Sequence, residues 1–310
     1  MIALLGMLII VATQFLAPKV GVASPLILLA VGLGIGFLPQ VGAIEVEPHL
    51  ILEIILPPLL FSAAVRMPTM DFRREMHAVA MLAIPLVFLS AFAVGFVINW
   101  MDPAISLPWG VALGAVLSPT DAVAVSIAKR SGVSHRIITV LEGEGLFNDA
   151  TSLVLLSAAM NAGLAADNNA LNPGLLIGRV ALALGIAAVI GWIVGEVGVR
   201  VRALLKEPST DTVFSFAMPF LASLPAEHLG GSGLVAAVVA GLVVSRRRAA
   251  LISANNRRFS QQNWETMTLV LESAIFLTMG LQAFGIVEET SEFVGGLTFA
   301  AVLAVTLGTL

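Results

Sequence analysis

Cysteine and tyrosine are both absent from this chain of 310 residues. Without cysteine there is no disulfide framework and no thiolate chemistry. The four histidines (His49, His77, His135 and His228) are scattered and never stand at metal-ligand spacing, so no resident metal or other cofactor is expected. Charge is scarce as well: 12% of residues are Asp, Glu, Lys or Arg, against roughly 25% in a soluble domain. The formal charge of −4 carries little weight by itself, and nucleic acid is not an expected partner. Met1 is followed by neither a basic n-region nor a small-residue cleavage site, so the first apolar run reads as a span and not a signal peptide. What fills the chain instead is hydrocarbon. Hydrophobic residues make up 58% of it and the mean hydropathy is +0.99. An integral membrane protein follows, with the lipid bilayer as its solvent.

A span needs about 20 mostly apolar residues, and that criterion predicts about eleven transmembrane helices. They fall near 2–17, 22–38, 50–65, 77–99, 106–129, 137–163, 174–199, 212–225, 230–245, 265–286 and 293–310. The eighth is short, interrupted by Pro219 and Pro225 and preceded by the polar Ser209 to Asp211. The connecting loops alternate in sign. Every Lys and Arg except Arg179 falls in one set of loops, whereas the other set carries acids such as Asp102, Asp167 and Glu288. By the positive-inside rule the basic side is cytoplasmic. The N-terminus is then outside, residue 310 is inside, and the expected location is the cell membrane. The stretch 245–263 reads as a basic cytoplasmic loop that anchors topology and attracts anionic lipid. No soluble domain or short repeat interrupts the pattern, so 1–310 reads as one transmembrane domain.

Acids inside spans are costly and usually face a protein interior or an aqueous cavity. Two clusters matter. The first is "LSPTDAVAV" (117–125) in the fifth span. Pro119 removes an amide and biases Ser118 away from helical geometry, so the helix should break near 118–121, beside Thr120 and Asp121. Unwound backbone at membrane depth is tolerated only where it is buried or lines a cavity, and its free carbonyls can hold a cation. The second cluster is "LEGEGLFNDATSLVLL" (141–156). On a helix Glu142, Gly145 and Asp149 share one stripe, and Glu144 and Asn148 share its neighbour. Asp149, held in a polar crevice against the break, supplies hard oxygen for a monovalent cation. Desolvation would raise its affinity for a proton toward the physiological range. A group that takes one or the other, never both, is sufficient for exchange. The plainer alternative is that these acids only join helices. Glu272 in the tenth span either lines the cavity or is a buried, protonated packing residue. Glu53 and Glu196 read as structural or interfacial, and His228 lies in an external loop.

At these residues the chain resembles the monovalent cation:proton antiporter family of the NhaP and NHE type. "LPPLLFSAA" (56–64), "LSPTDAVAV", "GEGLFNDATSLVL" (143–155), "GSGLVAAVVAGLVVS" (231–245) and "LESAIFLTMGLQ" (271–282) follow the family's order and approximate spacing. The resemblance implies an all-α, inverted-repeat antiporter fold. It makes Asp149 the ion- and proton-binding carboxylate, with Asn148 before it in the pairing associated with electroneutral members. Thr120 and Asp121, with Ser118, complete the cation site, and Glu144 matches an acid that pairs with a late Arg. Three departures stand out. Gly145 replaces a frequent Ser, Ser62 replaces a frequent acid, and no Lys or Arg follows Arg258. The family's last helices, including a second broken one, have no counterpart, so the chain reads as C-terminally incomplete or naturally short.

The leading expectation is therefore a secondary transporter, not an enzyme, exchanging sodium, potassium or lithium for protons, as the family's usual homodimer. An alternative is a transport-incompetent fragment or membrane scaffold. A third is an intramembrane aspartyl protease using Asp121 and Asp149, although that family's tyrosine-aspartate and Gly-x-Gly-Asp signatures are missing.

Overall fold

A computed structural model describes residues 2–36, 51–119, 133–164 and 173–293, and every regular element among them is helical. Two compact units are built from them. One comprises residues 1–52 with 265–310, and the other residues 53–264.

In the first unit, α1 (Ile2–Val20) and α2 (Ser24–Gly36) are joined at Gly21, whose φ of 72° favours a residue without a Cβ. Gly32 of α2 meets the backbone of Leu277 and Gly280, close enough that a Cβ there would strike main chain.

The second unit holds the helices that carry the polar clusters. A π turn at Ile51–Ile55 leads into α3 (Leu56–Arg66). Pro57 and Pro58 sit in its first turn, where a missing amide costs nothing. Pro68 ends it by pushing Met67 into extended backbone (φ −63°, ψ 131°). Next, α4 (Thr69–Met81) and α5 (Val87–Met101) form one long helix through a π turn at Leu82–Leu86. Pro85 lies in that turn, where its absent amide leaves the ladder one donor short. After α6 (Leu107–Leu117) come α7 (His135–Leu164), α8 (Pro173–Leu204), α9 (Pro208–His228), α10 (Gly233–Leu251) and α11 (Ala254–Phe293). Helix α11 begins in the second unit and continues into the first.

Small residues bring these helices together, because lipid offers no hydrophobic drive for helix pairing and contact must come from close packing. Gly95 of α5 lies against Gly110 and Val111 of α6. Val87, Ala91, Val111, Ala115, Leu155 and Ala159 then form a core shared by α5, α6 and α7. Large apolar side chains point outward, among them Phe15, Leu89, Phe96, Trp100, Leu182 and Trp192. Phe72–Met101 and Gly178–Leu204 are each long and apolar enough to cross a bilayer.

Four expectations need correction. The eighth span is not short: α9 covers 21 residues and keeps both Pro219 and Pro225 inside it. Its polar start is helical too, because Asp211 is paired within the protein. As a result His228 ends a helix and does not lie in a loop. The stretch 245–263 is not a loop either. Only Ile252 and Ser253 interrupt the helices there, since Arg, Ala and Gln are good helix formers wherever their polar ends reach water. Glu288, Glu289 and Glu292 likewise lie on the helical backbone of α11. The expected span at 293–310 lies outside the described residues, apart from Phe293.

Candidate functional site

The two polar clusters approach each other in the second unit. Helix α6 stops at Leu117, two residues before Pro119, which offers no amide to continue the ladder. Ser118 keeps helical dihedrals (φ −75°, ψ −30°) and is not pushed into extended backbone. The expected break near 118–121 lies partly outside the described residues. Ser118 is tied to α5: its hydroxyl lies 2.7 Å from that of Ser90. The Ser90 hydroxyl already donates to the Val87 carbonyl at 3.0 Å. The proton between the two serines therefore comes from Ser118, whose oxygen keeps its lone pairs available. Ser90 was not singled out from the sequence, where a lone mid-span serine looks like ordinary helix glue.

Facing this end is α7, unbroken for 30 residues despite Gly143 and Gly145. Gly143 is there for contact: a Cβ would meet the Val79 side chain at 2.8 Å. Phe72 and Phe147 stack beside it with centroids 6.0 Å apart. By contrast, a Cβ on Gly145 would meet nothing within 4 Å. The stripes expected on this helix differ in burial. Glu142, Gly145 and Asp149 are half-buried, whereas Glu144 (5% exposed) and Asn148 (2%) are buried.

Asn148 bridges the clusters. Its side-chain amide donates to the carbonyl of Ser118 at 3.5 Å, the long end of hydrogen-bond range. Its Oδ1 is buried and finds no donor among the described residues. A buried amide oxygen without a donor needs an explanation, and a cation is one. Asp149 follows directly, and its own carbonyl accepts from Ser152 at 2.9 Å.

Other expected site residues stand elsewhere. Thr120 and Asp121 lie outside the described residues, so of the aspartate pair that a protease would use only Asp149 is described. Glu272 is exposed on α11 and belongs to the first unit. Glu53 is half-buried in the π turn before α3. Glu196 is structural. It is 8% exposed and pairs with Arg200 at 2.8 Å and Arg247 at 3.2 Å.

At the basic end of α7 an open cleft of about 510 Å³ is lined by Arg74, Glu75, His135, Arg136 and Thr139. Arg136 Nε and Glu75 pair across it at 2.7 Å. The hydrogen bond and negative charge of Glu75 push the Arg136 guanidinium to a pKa above its usual value. Asp149 is ten residues beyond Thr139, about 15 Å further along the helix.

Among families, the one described as "Sodium/hydrogen exchanger, transmembrane" matches residues 4–310. The uncharacterized Na(+)/H(+) exchanger YjcE of Escherichia coli is 35% identical over 279 residues, covering 86% of this chain and 49% of the relative. The sodium, potassium, lithium and rubidium/H(+) antiporter of Bacillus pumilus is 31% identical over 291 residues, 91% of this chain and 43% of its own length. The chain thus spans about half the length of the curated relatives it matches. In fold it is similar to the sodium proton antiporter MjNhaP1 from Methanocaldococcus jannaschii. The TM-score is 0.69 at 21% identity, over 91% of this chain and 71% of that one.

Proposed function

Because the chain belongs to the sodium/hydrogen exchanger family, whose members are multi-pass membrane proteins, we propose that it exchanges sodium, or potassium or lithium, for protons. In this reading 1–310 act as one transmembrane antiporter domain, and Asp149 is the group for which cation and proton compete. The observation that supports it is the meeting of Asn148, the residue before the half-buried Asp149, with the Ser118 carbonyl at the end of α6.

The residues divide the work by chemistry. A monovalent cation shedding water needs oxygen ligands, and the Asp149 carboxylate, the Ser118 oxygens and Asn148 Oδ1 supply them. By the family resemblance, Thr120 and Asp121 complete the set. Protonated, Asp149 is neutral and has no charge to hold a metal ion. When a cation arrives the proton leaves, and each form carries the same total charge. One cation for one proton is then electroneutral. Glu142 and Glu144 support the site from the same helix, and the cleft at Glu75 and Arg136 is the entrance from the basic side. That side is cytoplasmic, the membrane is the cell membrane, and the working form is a homodimer.

The test uses proteoliposomes with a trapped pH dye. Sodium added outside should drive a pH change that Asp149→Asn reduces to the background of empty vesicles. Below the carboxyl's pKa, the sodium concentration for half-maximal exchange should rise about tenfold per pH unit lost, as competition for one site requires. Full-rate exchange by Asp149→Asn, or a half-maximal concentration indifferent to pH, would overturn the assignment.

A further inference from the structure

The second unit holds another polar centre, away from the residues assigned to exchange. At the ends of α3, α8 and α10 and the start of α11, a cavity of about 30 Å³ is lined by Arg66, Arg202, Arg248 and Arg257, with Ser260 and Trp264 at its wall. By water-probe volume the enclosed part has room for on the order of two oxygen atoms, so a tetrahedral group would seat two of its oxygens there and leave the others toward the exposed Arg66 rim. Four arginines line it and the lining contains no carboxylate.

One of the four is neutralised. Arg202 is 4% exposed and forks onto Asp211, which is fully buried, with Nε–Oδ1 at 2.7 Å and Nη2–Oδ2 at 2.9 Å. Arg202 also reaches Ser260 Oγ at 3.3 Å, which ties α8 to α11. The Trp264 indole donates to Ser215 at 3.0 Å and stiffens the same corner. Arg257 gives one of its five donors to the Ala249 carbonyl at 3.2 Å. Arg248 is half-buried. Its burial, and then the charges of Arg257 and Arg202, lower its pKa from the usual arginine value. Like charges held at a partly dry site repel, and helix packing alone does not relieve that repulsion.

We propose that this arginine cavity is a binding site for a phosphate group, and that its occupant locks the basic ends of α3, α8, α10 and α11 together. The chemistry favours phosphate over chloride or a carboxylate. Guanidinium forks match tetrahedral oxyanions two donors at a time, and several forks converging from different helices need an acceptor with several oxygens. Arg248, with the Nη1 of Arg202 that Asp211 and Ser260 leave over, receives the oxygens, while Arg66, which is exposed, and Arg257, which is half-buried, close over them from the rim. The group could be the headgroup of an anionic lipid or free phosphate, since helix ends of this kind lie at headgroup level. The site is independent of the exchange reading, because its occupancy is read by binding and not by transport.

The experiment measures thermal unfolding of the full chain in neutral detergent as inorganic phosphate is added at constant ionic strength. A second arm uses nanodiscs of phosphatidylcholine with and without phosphatidic acid. The variants are Arg248→Gln and Arg257→Gln, with Arg246→Gln, an exposed position on α10, as comparator. Should Arg248→Gln fail to fold, Arg257→Gln at the rim still decides the matter. The expected result is a saturable rise in melting temperature in the unmodified chain and in Arg246→Gln. The apparent affinity should fall roughly tenfold or more in Arg257→Gln, the loss typical of a charge-assisted hydrogen bond. A response to phosphatidic acid alone identifies a lipid as the source, and a response in both arms admits free phosphate. No rise beyond that of chloride in either arm, or equal affinities in Arg246→Gln and Arg257→Gln, would overturn the proposal.

Discussion

Asp149 and Asp211 are both acids in a greasy chain, but they are held in different ways. Asp149 is half-buried on the stripe of α7 that also carries Glu142 and Gly145. Asp211 is fully buried with both oxygens bonded to Arg202. Breaking a buried pair strands a charge, at a cost of roughly 3–5 kcal/mol. Asp211→Ala should therefore lower the melting temperature of the purified chain sharply. Replacing Asp211 and Arg202 together with apolar residues of similar volume should recover most of that loss, because no charge is then stranded. A double variant as unstable as the single one would show that the pair contributes more than mutual compensation. Asp149 stands out in the sequence as a candidate, since an acid amid apolar residues beside a second polar cluster has few structural uses. Asp211 is not, because nine residues separate it from Arg202 and a sharp turn must bring them together.

At the scale of elements, small residues at four-residue spacing decide which helices touch. Gly191 and Gly195 of α8 lie against Ala236 and Ala240 of α10, where backbone meets backbone. A side chain at Gly195 would collide with Val243, whose Cβ stands 2.8 Å from the position a Cβ would take. Gly195→Leu should cost at least about 1–3 kcal/mol through overpacking. At Gly185 a Cβ meets nothing within 4 Å, so Gly185→Ala should be neutral or stabilise by about 0.5–1 kcal/mol. Melting temperatures of the two variants side by side test this, and equal losses would remove the packing argument. The existence of these helices could be read from apolar run length, but several of their ends could not. Hydropathy marks where lipid stops. A helix continues past that point when its residues favour helix and its charges reach water, as in the basic start of α11. Prolines mislead in the same way. Pro68 ends α3, while Pro219 and Pro225 interrupt nothing in α9. Inside a bundle, neighbouring groups can satisfy the carbonyls that a proline frees.

For the whole molecule, orientation rests on the placement of sixteen Lys and Arg residues. The absence of native cysteine allows a direct check. In intact cells a membrane-impermeant maleimide should label Asp102→Cys, in the turn after α5, and should reach Lys19→Cys only after permeabilisation. The opposite pattern would invert the topology and with it the direction of exchange.

Membrane residence, helix content and the Asn148–Asp149 pair were all readable in one dimension. Each depends on local composition, and a lipid solvent punishes deviations from it residue by residue. Folding in three dimensions supplied the rest. It brought Asn148 to the carbonyl of Ser118 and gathered four arginines from four helices around one cavity. Most such contacts join residues 30 or more positions apart, and their formation depends on how closely glycine and alanine faces let helices approach. Helical periodicity says which residues share a face. It does not say which face of another helix will meet them.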